Sequence, residues 1–221
     1  MTLRDRIIQV EARIEAAVRS NGRRREEITL IAVSKKFPAS AMREAYGLGL
    51  RTFGENYVQE FADKQPELVD MPEAAYHLIG HLQSNKARVA AELFGVVQTV
   101  DSVKLARRLN ENATGPLEVM IEVKLSPEDS KSGSAAEDLP GLMEAVQACP
   151  RLRLTGLMTM PPWSADPAET RPYFRELAAL ARRHGLPKLS MGMSHDFEAA
   201  IEEGATHIRV GTAIFGARPK P

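Results

Sequence analysis

The chain has 221 residues, 43% hydrophobic and 26% charged, the usage of an ordinary globular protein, which excludes disorder, a collagen-like fibre and a coiled-coil rod. Lys and Arg total 29, as do Asp and Glu, for a formal net charge of zero, so no field draws the chain toward nucleic acid or an anionic membrane surface. The single cysteine, Cys149, excludes an internal disulfide and, beside five histidines, argues against a thiolate metal site; a reducing cytosol is the expected compartment.

Near the N-terminus Arg4, Asp5 and Arg6 stand where a signal peptide would need an apolar core, and no apolar run approaches the ~20 residues of a membrane span, so neither export nor membrane insertion is expected. Leu3, Ile7, Val10, Ile14 and Ala17 recur at steps of four and three, predicting an amphipathic helix that ends near Asn21-Gly22. Ile28 to Ser34 is apolar almost throughout, as in a parallel-sheet strand buried on both faces. The pattern then alternates: helix after Pro38 through Ala45, strand Arg51 to Gly54, helix Val58 to Lys64, strand Tyr76 to Gly80, helix Asn85 to Leu93. It continues with strand Val96 to Val100, helix Val103 to Asn112, strand Leu117 to Val123, helix Leu139 to Ala148 and strand Leu152 to Met158. A long helix from Pro167 to His184, a strand from Lys188 to Gly192, a helix from Phe197 to Glu203 and a strand from His207 to Val210 complete the pattern.

Eight strand starts, each followed by a helix or a helix start, predict a (β/α)8 TIM barrel in one domain over residues 1–221, with the extra N-terminal helix covering the barrel's bottom. An open doubly wound sheet is the competing architecture. It would advertise a glycine-rich first βα turn, whereas the first strand here runs into Ser34-Lys35-Lys36-Phe37-Pro38.

Barrels of this type carry their chemistry at the C-terminal ends of the strands. The polar residues there are Ser34, Lys35, Lys36, Glu55, Asn56, His77, His81, Glu122, Lys124, Ser194, His195, Arg209, Gly211 and Thr212, with the stretch Met158 to Met160. For any one of them a solvated strand edge is the ordinary explanation. Lys35 and Lys36 stand apart, because a uniformly apolar strand would carry one ammonium into the barrel mouth. Desolvation favours the neutral amine, which forms a Schiff base with a carbonyl. Alternation groups Lys35 with Ile31 and Val33, and Lys36 with Leu30, Ala32 and Ser34, and leaves open which set faces inward. Gly211-Thr212 after the last strand and Met191-Gly192-Met193-Ser194 before the last helix both pair a glycine with a hydroxyl, the makings of a two-walled phosphate cup where barrels commonly hold phosphate. Turn glycines and helix N-caps would account for the same residues. An amine nucleophile beside a phosphate site suggests a phosphorylated aldehyde as ligand.

The blocks Ala32-Val33-Ser34-Lys35, Phe53-Gly54-Glu55-Asn56-Tyr57-Val58-Gln59-Glu60, His77 through Lys86, Gly156-Leu157-Met158, Ser190-Met191-Gly192-Met193-Ser194 and Arg209 through Gly216 resemble the pyridoxal phosphate homeostasis protein family. The resemblance spans nearly the whole chain. It implies a fold-type III barrel like the N-terminal domain of alanine racemase, holding pyridoxal 5′-phosphate as an internal aldimine on Lys35. It further implies Ser194, Gly211 and Thr212 at the phosphate, Asn56 near the ring, and Arg209 at the ring nitrogen or its edge. An arginine there keeps that nitrogen unprotonated and weakens the ring as an electron sink. The loop Leu125 to Gly133 and His81 are the places where the family pattern varies.

Three readings follow. The chain buffers and delivers the cofactor, with PLP-dependent apo-enzymes as recipients and no turnover, catalytic residues or metal of its own; or it is a single-domain racemase; or it is a Schiff-base aldolase using Lys35 without a cofactor. A racemase resembling this barrel would add a β-domain and a tyrosine from a partner chain, whereas Tyr46, Tyr57, Tyr76 and Tyr173 are mostly placed in helices or at a strand's start, where packing is the expected role. Glu55, His77 or Glu122 would have to serve an aldolase as acid or base. The cofactor carrier is the favoured reading, as a cytoplasmic monomer.

Overall fold

The computed structural model describes residues 1–126 and 132–217. Eight parallel strands form the barrel: β1 (Thr29–Val33), β2 (Thr52–Glu55), β3 (Ala75–Leu78), β4 (Val96–Val100), β5 (Leu117–Lys124), β6 (Leu152–Met158), β7 (Lys188–Met193) and β8 (His207–Val210). Each pairs with its neighbours in chain order, β1 meets β8 with Ile31 opposite Arg209, and β4 meets β5. The ring is thus a closed (β/α)8 barrel of the kind expected. A two-residue strand, Ser134–Ala135, adds to the end of β5 at Val123. Strand boundaries move by one or two residues from the expected ones.

The connecting helices are α2 (Ala39–Gly47), α3 (Val58–Lys64), α4 (Ala87–Leu93), α5 (Val103–Asn112), α6 (Leu139–Gln147), α7 (Arg171–Arg183), α8 (Phe197–Glu202) and α9 (Thr212–Phe215). The long helix expected from Pro167 is divided into a 3-10 turn over Pro167–Glu169 and α7. Pro172 is the cause: with no N–H to donate it fits the first turn of a helix and not its interior. The helix expected from Asn85 likewise opens as a 3-10 turn over Ser84–Lys86 before α4.

The first helix, α1 (Leu3–Ser20), is held at its start by a capping box between Thr2 and Asp5. It was expected beneath the barrel, and the structure places it elsewhere, against α8 and α9 on the flank. The physical reason is that α9 has four residues and cannot cover the seam between β8 and β1. Leu3, Ile7, Val10 and Ile14 bury that face of α1, and three arginines fasten it. Arg6 donates to Ile214 O at 2.5 Å, Arg13 pairs with Glu198, and Arg23 donates to the carbonyls of Ile201 and Ala205 at 2.9 and 2.8 Å.

Alternation along the strands sorts the residues into two layers. Leu30, Ala32, Phe53, Leu78, Val119, Ile121, Leu157, Ile208 and Val210 face outward into the apolar layer under the helices. The opposite set fills the barrel, and beside apolar residues such as Val33 and Met158 it carries a polar string: His77 contacts Gln98, Gln98 contacts Ser190, and Ser190 contacts Arg209. Glycines make room where strands crowd. A Cβ on Gly156 would lie 2.2 Å from Lys188 O and 2.7 Å from Lys188 C, backbone atoms that cannot swing aside. Gly156→Ala should therefore lower stability by about 3 kcal/mol, the upper end of overpacking costs, read as a fall in the urea midpoint; an unchanged midpoint would show that the two strands separate freely here.

Candidate functional site

The turn that ends β1 decides the direction of the two lysines. Ser34 Oγ donates to Glu55 Oε1 at 2.8 Å, and Lys64 Nζ reaches Ser34 O at 3.1 Å, Glu55 Oε1 at 2.9 Å and Glu60 Oε1 at 2.6 Å. Burial pushes the Glu55 carboxyl above its usual range, against the pull of Lys64 and Ser34. Lys36 adopts a left-handed φ of 65° and its N–H donates to Glu60 Oε1 at 2.5 Å, a conformation uncommon outside glycine. The clamp turns Lys36 outward and leaves Lys35 on the inward face with Val33, where both line a cavity of about 260 Å³.

That cavity lies at the C-terminal ends of the strands and gathers Lys35, Asn56, Ser194, Arg209, Gly211 and Thr212, all six candidates for holding a cofactor. Ser194 and the β8 turn, read from the sequence as the two walls of one cup, are joined: Ser194 Oγ accepts from Gly211 N at 3.2 Å and Ala213 N at 3.3 Å. Gly192, with φ 90°, is required before it, since a Cβ would fall 2.5 Å from that of Ala200. Asn56 is backed by Gly80, whose added Cβ would sit 2.3 Å from Asn56 O. Asn56 Oδ1 is buried without a hydrogen-bond partner among the described residues.

Arg209 is 2% exposed. Its Nη1 donates to Ser190 Oγ at 2.7 Å and its Nη2 to Thr159 O at 2.8 Å. Burial pulls its pKa down to about 10, opposed by Glu122 and Asp196, and the guanidinium stays charged at neutral pH.

The other candidates disperse. Ser34 and Glu55 belong to the clamp, and Lys36 points away. Glu122 and His81 line a neighbouring chamber of about 570 Å³ that shares Asn56, Ile79 and Met160 with the first cavity. Burial raises the Glu122 carboxyl. Lys124 lines a surface depression with Asp101 and Asp138, Met158 is buried in the barrel, and Met160 and His195 join the first cavity with Trp163. Of the variable loop, residues 127–131 lie outside the described residues. Sequence reasoning missed Glu60 and Lys64, although a lysine at the i+3 position after Val58 and Phe61, on an apolar stripe, signals a paired ammonium.

His77 and His207 sit inside the barrel with ring centroids 6.2 Å apart. Burial holds them down to about 4 and about 3 from 6.5, and for His207 the charge of His77 adds to the effect. In the unfolded chain both take a proton near 6.5, so the unfolded state binds more protons below that pH. Their neutral burial costs nothing above about pH 6.5, and stability falls as the pH drops toward 4 and 3, by up to roughly 1.4 kcal/mol per pH unit for each group. The urea midpoint of the His77→Asn variant should fall less steeply with acid than that of the parent; parallel slopes would refute neutral burial of His77.

Among the described residues no helix is long and apolar enough to cross a membrane, and no group of three His, Cys, Asp or Glu side chains is placed to hold a metal. The alanine racemase N-terminal domain family matches residues 12–219. The pyridoxal phosphate homeostasis protein of Pseudomonas aeruginosa is 50% identical over 98% of this chain and 96% of its own, and that of Escherichia coli is 45% identical over 96% and 95%. PipY of Synechococcus elongatus, solved with PLP bound, superposes with a TM-score of 0.85 at 40% identity, covering 97% of this chain and all of its own. Alanine racemase of Corynebacterium glutamicum, at 20% identity and a TM-score of 0.68, shares the fold over 95% of this chain and 60% of its own. On the strength of these matches along nearly its whole length, the chain belongs to the pyridoxal phosphate homeostasis protein family, within the wider family of the alanine racemase N-terminal domain.

Proposed function

We propose that this chain, acting as one domain, binds pyridoxal 5′-phosphate in the 260 Å³ cavity and buffers or delivers it in the cytoplasm without turnover of its own. The observation that carries the reading is the convergence of an inward lysine, a buried arginine and a hydroxyl with backbone N–H groups on one cavity. The name of the relatives and the PLP bound to PipY support it. When bound, the cofactor supplies an aldehyde carbon that bonds reversibly to an amine, on an electron-accepting ring.

The residues fit that group. Lys35 offers the amine. The Ser194 and Thr212 hydroxyls offer donors to a phosphate, at the turn where Ser194 Oγ holds the Gly211 and Ala213 N–H groups. Arg209 presents only N–H donors, so a ring nitrogen facing it accepts and stays unprotonated, and Asn56 has an amide side chain to spend on the ring's edge. PLP-dependent apo-enzymes are the recipients this reading implies, and a monomer is the form it assumes.

Incubating the loaded protein with L-alanine in deuterated water tests the absence of turnover. A racemase needs a second proton carrier facing Lys35, and among the described residues lining this cavity the titratable side chains besides Lys35 and Arg209 come down to His195. The expected result is at most slow exchange of the Cα proton with the L-form retained. Repeated inversion to D-alanine, lost in Lys35→Ala, would overturn the carrier reading in favour of a racemase.

A further inference from the structure

We propose that Ser190, Gln98 and His77 form a one-directional hydrogen-bond relay inside the barrel that positions Arg209 and sets which of its N–H groups face the cavity. None of the three lines the cavity; they are buried beneath it, 0%, 0% and 5% exposed. The functional part rests on the cofactor reading above, while the relay itself stands on geometry alone.

The direction follows from what each group can do. A guanidinium only donates, so the 2.7 Å contact makes Ser190 Oγ the acceptor of Arg209 Nη1. The hydroxyl then has its own hydrogen to place, and Gln98 Oε1 lies 2.6 Å away. With its oxygen committed to Ser190, Gln98 turns its NH2 to His77 Nδ1 at 2.9 Å. Nδ1 must therefore be a lone pair, and His77 is the neutral tautomer protonated on Nε2. Burial agrees, holding His77 down to about 4. The charged and titratable groups about this string are Glu118, Lys188 and His207 near His77, and Glu122 and Asp196 near Arg209.

Reversing His77 would reverse Gln98 and strand the Ser190 hydroxyl, because Arg209 can only donate. A proton on Nδ1 of His77 would oppose the Gln98 NH2 and force the amide over. The amide would then donate to Ser190 Oγ and leave the hydroxyl hydrogen without an acceptor in the string. Such a defect in a buried site is costly, so the string holds a single polarity. With Nη2 tied to Thr159 O at 2.8 Å, two nitrogens are fixed from behind and the guanidinium plane cannot rotate.

Nitrogen-15 NMR of the imidazoles in the cofactor-free protein tests the relay directly. The expected result for His77 is the Nε2–H tautomer from pH 6 to 8, giving way to a tautomer mixture in Ser190→Ala and kept in Ser190→Thr. An Nδ1–H tautomer in the parent protein would overturn the proposal. In the protein loaded with pyridoxal 5′-phosphate, Ser190→Ala should move the pH midpoint of the cofactor's visible band by one unit or more, and Ser190→Thr should restore it. An unmoved midpoint in a folded Ser190→Ala variant would also overturn the positioning role. Failure to load any cofactor would instead count against the proposed function, because the NMR signature needs no ligand.

Discussion

Lys35→Ala should abolish covalent retention of pyridoxal 5′-phosphate while leaving the fold intact. The side chain enters the cavity from the end of β1, and the neighbouring clamp is joined by bonds among Ser34, Glu55, Glu60 and Lys64 themselves. Borohydride treatment of the loaded parent should fix the cofactor to the peptide carrying Lys35, and in the variant no peptide should carry it. The obvious substitute is Lys36, one residue on. Its backbone N–H is tied to Glu60 and its φ of 65° turns it outward, so reaching the cavity would require breaking that bond and re-forming the turn. An adduct on Lys36 or Lys86 with Lys35 unmodified would show that the clamp does not set the direction of the amine.

The second large effect concerns the phosphate. Pyridoxal should bind at least a hundredfold more weakly than its phosphate, because it has no anion to set against the Ser194 and Thr212 hydroxyls and the Gly211 turn that Ser194 holds. Hydrogen bonds to a charged group contribute roughly 1.5–3 kcal/mol each, and two of them suffice for that ratio. Ser194→Ala should narrow the gap, since it removes the oxygen that now holds both backbone donors in place at 3.2 and 3.3 Å. Equal affinity for the two aldehydes, measured by competition, would place the phosphate elsewhere.

Much of this site was legible in the sequence, for identifiable reasons. Parallel strands buried on both faces read as apolar runs, so β1 and the alternation after it gave away the barrel, and barrel geometry puts strand-end residues at one mouth. What alternation cannot give is a sense of inward. The choice between Lys35 and Lys36 is made by Glu60 and Lys64, 24 and 28 residues beyond Lys36, through contacts no local pattern encodes. The polar barrel interior was hidden for a related reason. Gln98 and Ser190 lie in separate strands, and only closure of the ring brings their side chains to 2.6 Å. The position of α1 was misjudged because the length of α9 depends on where the last turn stops, and helix ends are poorly marked in sequence.

The seating of α1 on α8 and α9 also bears on how the molecule is made. A ribosome releases α1 first and the elements that cover its apolar face last, so that face stays bare through most of synthesis. The cavity is assembled on the same schedule, since its lining runs from Val33 to Thr212. A nascent chain that has already exposed Lys35 still lacks the Ser194 and Gly211 side of the pocket. Any reactive aldehyde captured at that stage would be held by the lysine alone, and selectivity for the phosphorylated form would arrive only with the final unit.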